Sequence, residues 1–177
     1  MNANEEQLLK KLAVVIIENP RYNTKELAEA VGISKATLHR FCGSRENLMK
    51  MIMDESKKAL ENIICVANSR IENYDECIFK LIDAHFVNKE YLIFACGIQS
   101  GLDNEYWESY IKAIDTFFLN GQKMGIFRID FGVPMLSEMF IAMICGVIDA
   151  QRRGRLGTFM IKENILDFYL NGVLKTK

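Results

Sequence analysis

Apolar residues recur every three or four positions almost from end to end of this 177-residue chain, and only two prolines interrupt them. That recurrence follows the α-helix, at about 3.6 residues per turn, and not the strict alternation of a half-buried strand. An all-α fold follows. The chain is long enough for one or two domains with a real core. Half of its residues are hydrophobic, which excludes a disordered chain.

The punctuation divides the chain into helices. Asn4 is placed to cap a first helix with the stripe Leu8, Leu9, Leu12, Val15 and Ile16, closed by Pro20. Thr24 and Ser34 stand where N-caps belong, each before a short helical pattern, with Gly32 between them. Ser44 caps a fourth helix, and no Gly or Pro interrupts Arg45 to Arg70. Further helices are expected at Asp75–Asn88, Lys89–Gln99, Asn104–Met124, Pro134–Arg153 and Thr158–Leu174. Gly97, Gly101, Gly125, Gly132, Gly154 and Gly157 separate them.

The stretch from Thr24 to Phe41, TKELAEAVGISKATLHRF, carries the functional signal. Ala28 is small, so a second helix can cross close over it. Gly32 can take the left-handed backbone that a sharp interhelical turn demands. Leu27, Val31, Ile33, Leu38 and Phe41 supply apolar contacts that lock two helices at the helix-turn-helix angle. The second helix, Lys35 to Phe41, then turns Lys35, Ala36, Thr37, His39 and Arg40 away from the core. A basic, hydroxyl-bearing face of this kind can read base edges and grip phosphates. Thr24, Lys25, Ser34 and Ser44 stand at helix N-termini where phosphates can sit, and Arg45 adds a charge.

Charge supports the same end of the molecule. From Arg21 to Lys50, six bases (Arg21, Lys25, Lys35, Arg40, Arg45, Lys50) face three acids (Glu26, Glu29, Glu46). That segment therefore carries +3 and the remainder −4, within a net charge of −1. A basic island on a mildly acidic body suits contact with phosphate at one end only.

The run from Thr24 to Leu48 resembles the DNA-binding domain of the TetR family of bacterial regulators. Its end, Thr37-Leu38-His39-Arg40-Phe41-Cys42-Gly43-Ser44-Arg45-Glu46-Asn47-Leu48, follows the family pattern T-L-Y-x-x-F-x-s-K/R-E-x-L. His39 replaces a common Tyr that touches backbone phosphate, and Cys42 replaces a common core Phe. The resemblance implies a three-helix DNA-binding domain over residues 1–50 and a helical effector-binding and dimerisation domain over 51–177. It also implies a homodimer on a palindromic operator in double-stranded DNA, repression as the usual outcome, and release by a small effector.

The body fits that layout. The helix from Asn104 presents Trp107, Tyr110, Ile111, Ile114, Phe117 and Phe118 along one broad face. These residues either pack a core or, with Phe79, Phe86, Phe94 and Met143, wall a cavity for an apolar effector. His85 lies with Ile78, Leu81 and Ile82, as a core histidine or as one that reads a ligand. The helix after Pro134 is apolar on every side and so must be buried on every side. With the last helix it suggests a dimer interface formed by Pro134–Arg153 and Thr158–Leu174.

Other classes fit less well. Cys42, Cys65, Cys77, Cys96 and Cys145 are odd in number and contain no C-x-x-C pair, which argues for a reducing compartment and against a zinc site. The charged N-terminus is no signal peptide, and the apolar run Met135 to Ile148 is short for a bilayer and contains Glu138. A cytoplasmic protein off the membrane is expected. No P-loop, metal-ligand spacing or nucleotide-binding Gly pattern points to an enzyme, and no cofactor is implied. The alternative is a helical interaction or small-ligand-binding module without DNA binding, which leaves the helix-turn-helix register unexplained.

Overall fold

The first helix, α1 (Ala3–Glu18), begins in a capping box, with Asn2 and Glu5 each accepting the other's backbone N–H. The cap is therefore Asn2 and not Asn4, because Asn2 is followed three residues later by a glutamate that can reach back. The computed structural model describes residues 2–70, 73–97 and 104–173. Its helices continue as α2 (Thr24–Ala30), α3 (Lys35–Cys42), α4 (Arg45–Ala67), α5 (Tyr74–Val87), α6 (Lys89–Gly97), α7 (Asn104–Lys123), α8 (Val133–Arg152) and α9 (Ile161–Val173). No β-strand occurs among the described residues.

Element types match the sequence expectation, and the differences lie at helix ends. The α4 helix stops at Ala67, three residues before Arg70, and spans roughly 35 Å at ~1.5 Å per residue. The α9 helix starts at Ile161 and not at Thr158. Met160 stands just before it with φ +51, a left-handed conformation outside the helical range. Gln99, Gly101 and Leu174, which figured in the expected punctuation, lie outside the described residues.

The described residues form two compact units, one from Met1–Ala59 and Asn88–Leu102 and one from Leu60–Val87 and Asp103–Lys177. In the first unit, α6 packs on α1, and α2 packs on α3. Leu9, Leu12, Ile16, Leu27, Leu38 and Ile52 sit at its centre, each at most 4% exposed. The Ser56 hydroxyl, fully buried on α4, lies within hydrogen-bonding distance of the carbonyls of Ile52 and Tyr91.

In the second unit, α7 packs on α8 and α5 on α9. Aromatic rings join them: Phe118 lies 5.3 Å from Phe117, 5.4 Å from Phe127, 5.8 Å from Phe140 and 5.7 Å from Tyr169 between centroids. The Tyr169 hydroxyl donates to the Leu136 carbonyl at 2.8 Å, so its polar end is satisfied in the core. Gly121 allows the Phe127 ring to approach, since a Cβ there would lie 2.2 Å from a ring carbon.

The length and composition of α8 (Val133–Arg152, mean hydropathy 1.7) would allow it to cross a membrane. The sequence estimate of a short run counted only Met135 to Ile148. Here Leu136, Phe140, Ile144 and Ile148 are buried among α8's neighbours. Its other face is left uncovered among the described residues: Met135 is 57% and Met139 49% exposed.

Candidate nucleic-acid interface

The interface is built on α2, the following turn and α3. Asn23 caps α2, its side-chain oxygen accepting from the backbone N–H of Lys25 and Glu26, while Glu26 accepts from the Asn23 N–H at 2.7 Å. The cap is thus Asn23, and Thr24 is the first helical residue, half-buried. The signal was present in the sequence: Asn-x-x-Glu starting at Asn23 is a capping-box pattern. Gly32 then takes φ +77, and the Ile33 N–H donates across the turn to the Ala28 carbonyl at 2.9 Å. Only glycine adopts that backbone without strain.

Ser34 caps α3 as expected, accepting from the Thr37 N–H at 3.0 Å. Its hydroxyl also pairs with the Thr37 hydroxyl at 2.9 Å, which half-buries Thr37 beside the helix start. On the inner side, Leu27, Ala28 and Leu38 are fully buried, with Val31, Ile33 and Phe41 packed partly buried around them. Cys42 is buried below α3, its thiol donating to the Leu38 carbonyl at 3.2 Å, and burial pushes its pKa upward. It behaves as a small core residue rather than a reactive one.

On the outer side Lys35, Ala36, His39 and Arg40 are all exposed. They form one short face of a helix that the core holds rigidly. Lys25 is exposed at the start of α2, and Ser44 is exposed at the start of α4, where it accepts the Asn47 N–H at 3.0 Å. Gly43, at φ +70, makes the reversal between α3 and α4.

Arg45 is placed differently from the other bases. Its guanidinium donates to the Tyr22 carbonyl and, at 2.9 Å, to the Pro20 carbonyl. It thereby ties the start of α4 to the α1–α2 turn. The sequence marked Arg45 only as a charge, because a contact over more than twenty residues leaves no local pattern.

A family model described as winged helix-turn-helix DNA-binding matches residues 14–43, from the second half of α1 through α3. The helix α4 follows that match directly. The HTH-type transcriptional regulator NfxB of Pseudomonas aeruginosa is 39% identical over 176 residues, covering 96% of this chain and 94% of its own. The chain belongs to the TetR family of transcriptional regulators.

Solved structures of other regulators share the fold at low identity. The ketosteroid transcriptional regulator KstR2 of Mycobacterium tuberculosis aligns with a TM-score of 0.74 at 17% identity, covering 99% of this chain and 97% of that one. The MbdR regulator of Azoarcus sp. CIB gives 0.70 at 18% identity, covering 97% and 100%. These regulators are not enzymes, and neither is this TetR-family chain.

The residues expected to meet an effector separate into groups in this regulator. His85 is 1% exposed on α5, with Nδ1 at 2.7 Å from the Leu81 carbonyl and Nε2 at 2.9 Å from the Tyr110 hydroxyl. A carbonyl only accepts, so Nδ1 carries the proton and Nε2 accepts from Tyr110. Burial pushes the pKa of His85 down from 6.5 to about 4, against the opposing effect of the Leu81 hydrogen bond. Both nitrogens are satisfied, which is the core-histidine arrangement.

The Trp107 ring lies 5.2 Å from that of Tyr110 between centroids, tilted by 43°, so the structure does bring His85, Tyr110 and Trp107 together. Phe117 instead joins Tyr74, Phe118 and Phe127. Phe79 and Phe86 are half-buried on α5, with the Lys162 ammonium 5.9 Å from the Phe79 ring, and Met143 is half-buried on α8. Phe94 belongs to the first unit. It is fully buried in the core of the N-terminal unit, because α6 packs on α1. Sequence reasoning missed Phe140, whose ring lies edge-on to His85 at 5.6 Å between centroids, since an all-apolar helix does not mark its inner side.

Proposed function

We propose that this regulator binds a palindromic operator in double-stranded DNA as a cytoplasmic homodimer and represses transcription until a small apolar effector releases it. The observation that carries the reading is the outer face of α3, where Lys35, Ala36, His39 and Arg40 stand exposed on a helix locked by Leu27, Ala28 and Leu38. One such face is short and contacts few bases. Two copies related by a twofold axis double the contacts and match a palindrome.

In this reading Lys35, Ala36, Thr37, His39 and Arg40 contact the major groove. Thr24, Lys25, Ser34 and Ser44 contact phosphates at helix starts. Arg45 positions the turn before α2 and adds its charge beside those phosphates. The DNA-binding domain spans 1–50 and the effector and dimer domain 51–177. The uncovered face of α8, with its neighbour α9, supplies the dimer contact. Phe79, His85, Phe86, Trp107, Tyr110, Phe117 and Met143 form the effector region.

The effector acts by preferring the state whose two α3 helices are wrongly spaced for the operator. The aromatic surroundings of Tyr110 favour an apolar molecule over a sugar phosphate.

Selection of bound duplexes from a random DNA pool tests the proposal, followed by titration of the winner at several salt concentrations. The expected outcome is an enriched palindrome whose affinity falls steeply with salt. A folded dimer that enriches nothing at low salt would overturn it.

A further inference from the structure

Gly146 lies in the middle of α8, has no left-handed φ, and a Cβ built on it would meet nothing within 4 Å. Nothing among the described residues requires glycine there. Glycine also weakens a helix interior relative to alanine. Gly121 shows the contrast, because the Phe127 ring fills the space that its Cβ would occupy. The missing side chain at Gly146 leaves a shelf that opens outward, next to Met139 and Ala142 on the uncovered face of α8.

The neighbouring helix carries the complementary shape. The Phe168 ring on α9 is 75% exposed, a large apolar surface left to solvent. The two helices run antiparallel, since Tyr169 near the end of α9 donates to Leu136 near the start of α8. Lys162 ties the flank of α9 to Asp83 on α5 at 2.6 Å. At about 100° per residue, this turns Phe168 and Asn164 away from α5, and both are exposed, as Met139 and Gly146 are on α8.

The centre of that α8 face, Met139, Ala142 and Gly146, is exposed and apolar, with Glu138 and the Asp149–Arg153 ion pair at its edges. A copy of itself meets it with the same apolar centre and with charges only at the rim. Two helices of this length present on the order of 600 Å² at a ~10 Å spacing, close to the ~800 Å² that each partner buries in a stable complex. A face that holds both a projecting ring and a bare shelf can pair with itself about a twofold axis.

We infer that Phe168 of each protomer seats on the Gly146 shelf of the other and fixes the register of the dimer. This rests on the dimer reading proposed above and adds the pair of residues that decides how the two copies align. Register matters because it sets the separation of the two α3 helices.

Sedimentation equilibrium on the full chain tests the pairing, with helicity followed by circular dichroism. Gly146→Leu fills the shelf and improves helix propensity, so the protomer keeps its helicity while the dimer dissociation constant rises at least ~100-fold. Phe168→Ala raises it ~10-fold or more. The double variant Gly146→Leu, Phe168→Ala binds more tightly than Gly146→Leu alone, because the filled shelf no longer meets a ring. Met139→Glu, which places a charge on the same face, separates the two claims. If it dissociates the dimer while Gly146→Leu and Phe168→Ala do not, the face is the interface and the pairing is wrong. If wild type is monomeric, or Met139→Glu leaves the dimer intact, the dimer reading fails and takes the pairing with it. Additive effects in the double variant also overturn the pairing.

Discussion

Acidification should destabilise this protein through His85 in particular. The unfolded chain titrates this residue near 6.5, and in the fold burial holds it at about 4. The native state therefore favours the neutral ring, and its contribution is complete above pH 6.5. As the pH falls through that value the unfolded state gains a proton that the native state refuses, and stability is lost until native His85 also titrates near pH 4. The gap of about 2.5 pH units corresponds to roughly 3 kcal/mol at ~1.36 kcal/mol per unit. The ring is 1% exposed, so solvent screening does not discount it. About 2 kcal/mol of this is gone by pH 5 and nearly all by pH 4.

The assay is urea unfolding from pH 7.5 to 4, on wild type and on His85→Gln, which keeps a donor and an acceptor but does not titrate. Carboxylates held below their usual range by ion pairs, such as Asp149 beside Arg152 and Arg153, also lose stability in acid. They do so equally in both proteins, and the difference between the two isolates the histidine. That difference should shrink by about 3 kcal/mol on acidification, given a neutral ring confined between Leu81 and Tyr110. A difference that stays constant with pH, or an imidazole signal assigned to His85 that titrates near 6.5 in the folded protein, would refute the reasoning.

Three further outcomes are expected. Lys35→Glu with Arg40→Glu should abolish binding to the selected operator while leaving the unfolding midpoint within ~0.5 kcal/mol of wild type, because both side chains are exposed; DNA titration and urea melts on one preparation check it. Removing the cap oxygens, in Asn23→Ala and Ser34→Ala, should each cost about 1 kcal/mol of stability by chemical denaturation, while Thr24→Ala costs less because Thr24 is not the cap. Gly121→Ala should destabilise by about 1–3 kcal/mol, since its methyl would lie 2.2 Å from a Phe127 ring atom, and Gly121→Ala with Phe127→Leu should recover part of the loss in thermal melts.

What the sequence made legible follows from the range of the forces involved. The helix-turn-helix could be read because its determinants are local: Ala28, Gly32 and Leu38 act within one turn of each other or across a single tight bend. Ser34 was legible for the same reason. Asn23 was missed although its signal was equally local, because Thr24 is also a good cap residue and the glutamate three places on was paired with neither. Arg45 could not be understood from sequence, since its hydrogen-bond partners at Pro20 and Tyr22 are brought close only by folding.

The body was legible only as composition. Its aromatic residues announced a large apolar interior, and period alone placed Tyr110 and Phe117 on one face of α7. Which rings touch is a matter of how helices cross, and that put Phe94 in the core of the first unit and brought Phe140 to His85. The α8 helix shows the limit most clearly. An all-apolar helix carries no inner and outer side in its sequence, yet the fold gives it both, burying Phe140 and leaving Met139 half in solvent. Its outer side was marked by Glu138 and by Gly146, a residue that weakens a helix and that nothing among the described residues requires. A glycine that the fold does not need points to a contact outside it, so here the least favourable residue of the helix says more about function than its many favourable ones.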